Sequence, residues 1–171
     1  MRATINREDL TSDQLSWLCI EPMLLAVRGK SLNEKRDMFL RLTEGQQALY
    51  LFYAYHNHAG TLEEFYWFAS YYISEVRSWD DIVRGLRYFG DTELAELLTR
   101  LERVVQCKLR HDDEWRSATV ADLETDARLR GEIETMYANY RSLTPLTIKR
   151  MNDWIANHRD EFAEILSADI K

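Results

Sequence analysis

Apolar positions recur at helical spacing along most of this chain. Trp79, Ile82, Val83, Leu86 and Phe89 form one stripe, and Leu94, Leu97, Leu98, Leu101, Val104 and Val105 form another. Ile148, Met151, Ile155 and Phe162 repeat the pattern near the C-terminus. Strand-like alternation is nowhere sustained, so the pattern predicts an all-α fold. Helix-start signals fall where these stripes begin. Thr11…Gln14, Ser31…Glu34, Thr43…Gln46 and Thr61…Glu64 have the spacing of capping boxes, in which two side chains satisfy free backbone N–H groups reciprocally. Ser78 and Asp91 are further N-caps, and Thr144-Pro145 puts proline at a first helical position. Gly29, Gly60 and Gly90 suit left-handed residues after helix ends. The predicted helices lie near 12–28 (bent at Pro22), 32–42, 44–58, 62–76, 79–89, 92–111, 119–141 and 145–167, about eight in all.

Two of these helices lack a polar face. Every residue from Ala48 to Tyr55 is apolar or aromatic, and from Phe65 to Ile73 only Ser70 is not. A helix apolar all round must be covered on all sides, so the hairpin 44–76 is expected to be the central element of a compact helical array. No repeat of fixed period is present, which disfavours a solenoid. Residues 1–171 read as one helical domain, with a subdomain boundary near 112–118 and a C-terminal helical hairpin over 119–171.

Composition narrows the class. Six Gly and two Pro are too few for a turn-rich all-β fold, and 46% hydrophobic residues exclude disorder. A net charge of −7 argues against nucleic-acid binding through a basic face. Cys19 and Cys107 are isolated thiols, and no secretory h-region opens the chain. The longest apolar run, Ala48 to Tyr55, is far short of a membrane span. These features lead us to expect a cytoplasmic protein. The charge is uneven: residues 91–171 carry 12 basic and 17 acidic groups, and Glu124, Asp126, Glu132 and Glu134 are candidates for an acidic face toward a basic partner.

Half of the 20 aromatics lie within residues 50–72. They suit either a bulky core or an aromatic interface, with Tyr66, Trp67 and Tyr71 as candidates. His56, His58, Glu63 and Glu64 flank the hairpin turn, where they could hold a ligand, although His residues at i and i+2 point to different faces. No metal set or cofactor is predicted. Glu-x-x-His pairs are absent, and Asp112-Asp113-Glu114 lacks the spacing of a calcium loop and reads as a solvated linker. The sequence contains no G-x-S-x-G, P-loop or G-x-G-x-x-G, and neither cysteine has a nearby histidine. These absences point away from an enzyme.

Thr43-Glu44-Gly45-Gln46-Gln47-Ala48-Leu49-Tyr50, followed by an aromatic helix, resembles the bacterial DNA-mimic-protein-like family. Gly45-Gln46 and Leu49-Tyr50 match the family's Gly-Gln-x-x-Leu-Tyr, Phe65-Tyr66-Trp67-Phe68 stands for its aromatics, and Phe89-Gly90 for its Ile-Gly. Its Asn-Gly-Gly-Phe segment is replaced here by Ala59-Gly60-Thr61-Leu62-Glu63-Glu64-Phe65. The resemblance covers about residues 38–105. It implies an all-α bacterial protein without known catalysis, expected to be a homodimer, and one branch occupies a transcription factor by presenting carboxylates spaced like DNA phosphates. Two functional readings follow. One is a non-enzymatic interaction protein offering an acidic face to a basic protein. The other is a small-molecule- or metal-binding helical domain with a pocket at the 44–76 hairpin.

Overall fold

The computed structural model describes residues 1–111 and 114–166, so the Asp112-Asp113 part of the expected linker lies outside the described residues. The fold is all-α. Its helices are α1 (Leu15–Ala26), α2 (Leu32–Phe39), α3 (Glu44–His56), α4 (Leu62–Ser74), α5 (Trp79–Tyr88), α6 (Thr92–Leu109), α7 (Val120–Thr125), α8 (Ala127–Asn157) and α9 (Arg159–Phe162). A 3₁₀ turn over Arg7–Thr11 precedes α1. No described helix is long and apolar enough to cross a membrane.

Local sequence explains most helix starts. Ser31, Thr43 and Thr61 accept the backbone N–H three residues on, and Glu34, Gln46 and Glu64 reach back as the spacing predicts. Asp91 caps Leu94 at 3.1 Å. The Thr11…Gln14 box does not form. The Thr11 hydroxyl donates instead to the Glu8 carbonyl, and the Gln14 amide donates to Ser12 Oγ, so α1 begins at Leu15 rather than residue 12. Gly29 and Gly90 adopt left-handed φ values of 72° and 75°, whereas Gly60 does not.

The largest departure lies at the C-terminal end. Helices expected over 119–141 and 145–167 are replaced by short α7 and one continuous α8, which runs through Pro145. The turn required for a hairpin within 141–145 is therefore absent. Leu129, Ile133, Tyr140, Thr144, Thr147, Met151 and Ile155 are buried along one face of α8, and this stripe passes Pro145 without interruption. Tertiary packing on that face outweighs the lost amide of one proline. Thr147 donates to the buried carboxylate of Asp91 at 2.5 Å, tying α8 to the start of α6.

Short strands complete the structure. β1 (Ala3–Ile5) pairs in parallel with β4 (Ala163–Ile165), with Ala3 opposite Ala163 and Ile5 opposite Ile165. β2 (Arg110–His111) and β3 (Glu114–Trp115) pair antiparallel. Three residues are too few for period-2 alternation to show, and β4 falls where a helix was expected.

The central position of the aromatic segment is half right. Nearly all of α3 is buried, and it packs chiefly on α5 and α1. Gly85 of α5 makes the close crossing possible, since a Cβ there would sit 3.0 Å from the backbone of Ala48. α4 packs on α6 and α8 instead of lying along α3, and only one of its faces is covered. Phe65, Tyr66, Ala69, Ser70 and Ile73 point inward, while Trp67 is 40% exposed.

Candidate functional site

The residues singled out around the hairpin turn do not converge. The imidazole Nδ1 of His56 lies 2.8 Å from the Tyr140 hydroxyl, and its ring stacks on Phe52. His58 turns outward and stacks on Phe68 at 4.3 Å. Glu64 is engaged by the Thr61 amide as part of the helix cap. Among the described residues no three metal-capable side chains come together. The interior between α3 and α4 is filled by rings: Tyr55 meets Phe65, Trp79 and Tyr140 at centroid distances of 6.3, 5.0 and 6.0 Å. Cys19 is buried, and burial pushes its thiol up to about 12, far from a reactive thiolate.

His56 gives a pH prediction. Burial, and secondarily the Arg141 charge, lower its pKa below the ordinary 6.5. A lowered histidine is neutral in the folded state while the unfolded chain already takes up a proton. Stability present above pH 6.5 is therefore lost as pH falls through the folded value. Urea midpoints between pH 7.5 and 5 should decline for the native protein, and His56→Gln should flatten that decline. An unchanged slope in the variant would show that His56 is not responsible.

Tyr66 is buried rather than displayed. Its hydroxyl donates to Asp122 at 3.3 Å, and Asp122 also accepts from the Thr119 amide and from Arg116. Burial raises the Asp122 carboxyl, but the Thr119 amide and the Arg116 guanidinium outweigh it and hold the group below its usual range. This network fixes α7 on α4.

A different arrangement emerges on the outer side of α4. Trp67 and Tyr71 lie one turn apart with rings 4° from parallel and centroids 5.6 Å apart. Phe68 packs edge-on against Trp67 at 4.7 Å and carries His58 on its face. Glu63 and Glu64 lie one helical turn before Trp67 and Phe68, Glu75 lies one turn after Tyr71, none of the three forms an ion pair among the described residues, and α7 with exposed Glu124 packs on the same helix. Carboxylates around flat electron-rich rings favour a cation, above all a guanidinium, which can stack on a ring and at the same time donate charge-assisted hydrogen bonds to a carboxylate. By contrast, the other acidic candidates are already offset. Asp126 holds Lys108 at 2.9 Å, Glu132 holds Arg128 at 3.4 Å, and Glu134 holds Arg130 at 2.8 Å.

The Gly45-Gln46 motif serves a different purpose. Gln46 Nε2 donates to the carbonyls of Met1 and Glu161, each at 2.6 Å. The Glu161 carboxylate accepts from the Thr43 hydroxyl and from the Gly45 amide at 3.1 Å. A Cβ on Gly45 would lie 2.7 Å from both Glu161 Oε1 and Phe162 Cζ. The motif is thus a clasp that draws both terminal segments onto the start of α3. No spacing rule reveals this role, because its partners lie 45 residues away at Met1 and 115 away at Glu161.

With this fold and these sites in view, the comparison with protein-family models is decisive: the chain belongs to the DMP19-like protein family, whose model matches residues 40–158. Neither a curated protein nor a solved structure gives a match.

Proposed function

We propose that this protein is a non-enzymatic interaction protein of the cytoplasm, a homodimer that presents an acidic, aromatic face to a basic protein partner in the manner of a DNA mimic. The observation that carries the reading is the outer side of α4, where Trp67 is 40% exposed, Phe68 and Tyr71 are half-buried beside it, and half-buried Glu63 and exposed Glu64 and Glu75 lie one helical turn from these rings. Exposed aromatics in such an array are unusual on a face that binds nothing, and Trp and Tyr are common binding anchors. Membership of the DMP19-like family and the net charge of −7 support the same reading. The partner class is a DNA-binding protein, because its phosphate-reading cations are suited to carboxylates as well. Immobilised protein should retain such a partner from a bacterial lysate at low salt. Raised salt or added duplex DNA should release it, since exposed charge contacts are screened and DNA competes for the same cations. Retention of no protein at low salt would count against the proposal.

A further inference from the structure

Glu63, Trp67, Tyr71 and Glu75 follow one another at intervals of one helical turn along α4 and its C-cap. Two rings are thus bracketed by carboxylates about 18 Å apart along the axis, at about 1.5 Å of rise per residue. The rings are parallel to within 4° with centroids 5.6 Å apart, so each keeps one face turned away from the other. Phe68 packs edge-on against Trp67 at 4.7 Å and against Tyr71 at 6.5 Å, which holds the pair in place. Among the described residues, the Trp67 indole N–H, the Tyr71 hydroxyl and the Glu63 and Glu75 carboxylates have no hydrogen-bond or ion-pair partner. On α8, by contrast, the carboxylates of Glu132 and Glu134 are already taken by Arg128 and Arg130 one turn away.

We infer that this ladder is a seat for two arginine side chains placed one turn apart on a helix of the partner protein. The inference rests on the interaction reading above and adds which cation the face selects and at what spacing. A guanidinium is flat and weakly hydrated, so it can lie on a ring and still donate parallel hydrogen bonds to a carboxylate. Glu63 lies one turn before Trp67 and Glu75 one turn after Tyr71, each on the far side of the ring pair along the helix. One guanidinium is therefore seated between Glu63 and Trp67, and a second between Tyr71 and Glu75. A lysine ammonium is a compact, strongly hydrated point charge, which can use the carboxylate but gains little from the ring. Spacing selects the form of the partner. Trp67 and Tyr71 are separated by about 6 Å of rise, the same as residues four apart on any helix, so a helix laid along α4 delivers both arginines at once. The seat is preorganised, because buried Phe65, Tyr66, Ala69 and Ile73 anchor the other side of α4.

Isothermal titration calorimetry of the full chain at low salt tests this with alanine-based helical peptides of equal charge. One carries two arginines four residues apart, one carries lysines at the same positions, and one carries arginines two residues apart, on different faces. The net charge of −7 attracts every cationic peptide, so the ratio of affinities is the informative quantity. The peptide with arginines four apart should bind at least about fivefold more tightly than either of the others. Trp67→Leu/Tyr71→Leu, with circular dichroism to confirm folding, should erase that preference and leave lysine-peptide binding nearly unchanged. Equal affinity for all the peptides would overturn the arginine seat and leave the acidic interaction face standing. A preference that survives the double variant would lie elsewhere on the chain and overturn the seat as well. If no peptide binds, the seat falls, and the wider reading falls with it only where lysate capture also fails.

Discussion

Tyr55→Ala should cost about 3–5 kcal/mol of folding stability, the largest loss expected from any one truncation of a side chain in this protein. Tyr55 has no exposed surface, and its ring lies among Phe65, Tyr72, Trp79 and Tyr140, which come from three other helices. Removing the ring leaves a cavity whose walls are themselves rigid rings, so collapse can recover little of the loss. Tyr55→Phe separates the two contributions. It keeps the packing and gives up only the hydrogen bond to the Phe65 carbonyl at 3.1 Å, worth about 1 kcal/mol. Chemical denaturation of both variants measures the pair. Equal losses in the two would mean that the hydroxyl, not the ring, dominates.

The second large effect is expected at the terminal clasp. Gly45→Leu must force atoms into the space held by Glu161 and the buried ring of Phe162. Overpacking of this kind costs about 1–3 kcal/mol, here near the upper end because Phe162 cannot yield without moving α9 and β4. The expected signature is local. Amide exchange should accelerate at Ala3–Ile5 and Ala163–Ile165, which pair only with each other, while the α3–α5 crossing stays protected. Uniform acceleration across the molecule would show that the clasp is not a separable unit.

How much of this was legible in the sequence depends on the range over which each signal acts. Three of the four capping boxes formed because their partners are three residues apart, and at Thr43…Gln46 the distant contacts to Met1 and Glu161 add to the box without displacing it. Thr144-Pro145 misled for the opposite reason. The pair is a good helix start in isolation, but a buried stripe from Leu129 to Ile155 continues across it, and that stripe could have been counted at the outset. α4 reads as apolar all round only if every Trp and Tyr is taken as buried. Positions 64, 67, 71 and 75 share a side of the helix, and aromatic rings with polar edges can remain wet there. The acidic candidates at 126, 132 and 134 show a further limit. Their i,i+4 cations at 128 and 130 were visible in the sequence, but Lys108 reaches Asp126 only through the fold. Gly45 and Gln46 were recognised by resemblance, while their work at the clasp required Met1, Glu161 and Phe162 to be brought together in space.

The same comparison separates the two faces that could meet a basic partner. If the α4 surface is the one used, Trp67→Ala/Glu63→Gln/Glu75→Gln should remove most of the DNA-displaceable protein captured at low salt, because the ring and two carboxylates that form no ion pair among the described residues are lost while the buried face of α4 is untouched. Glu132→Gln/Glu134→Gln, which removes carboxylates already held by Arg128 and Arg130, should leave capture nearly unchanged. Quantitative capture with the native protein and these two variants side by side is therefore the direct measurement. Loss in the α4 variant alone is the predicted result, and equal capture by that variant and the native protein would contradict it.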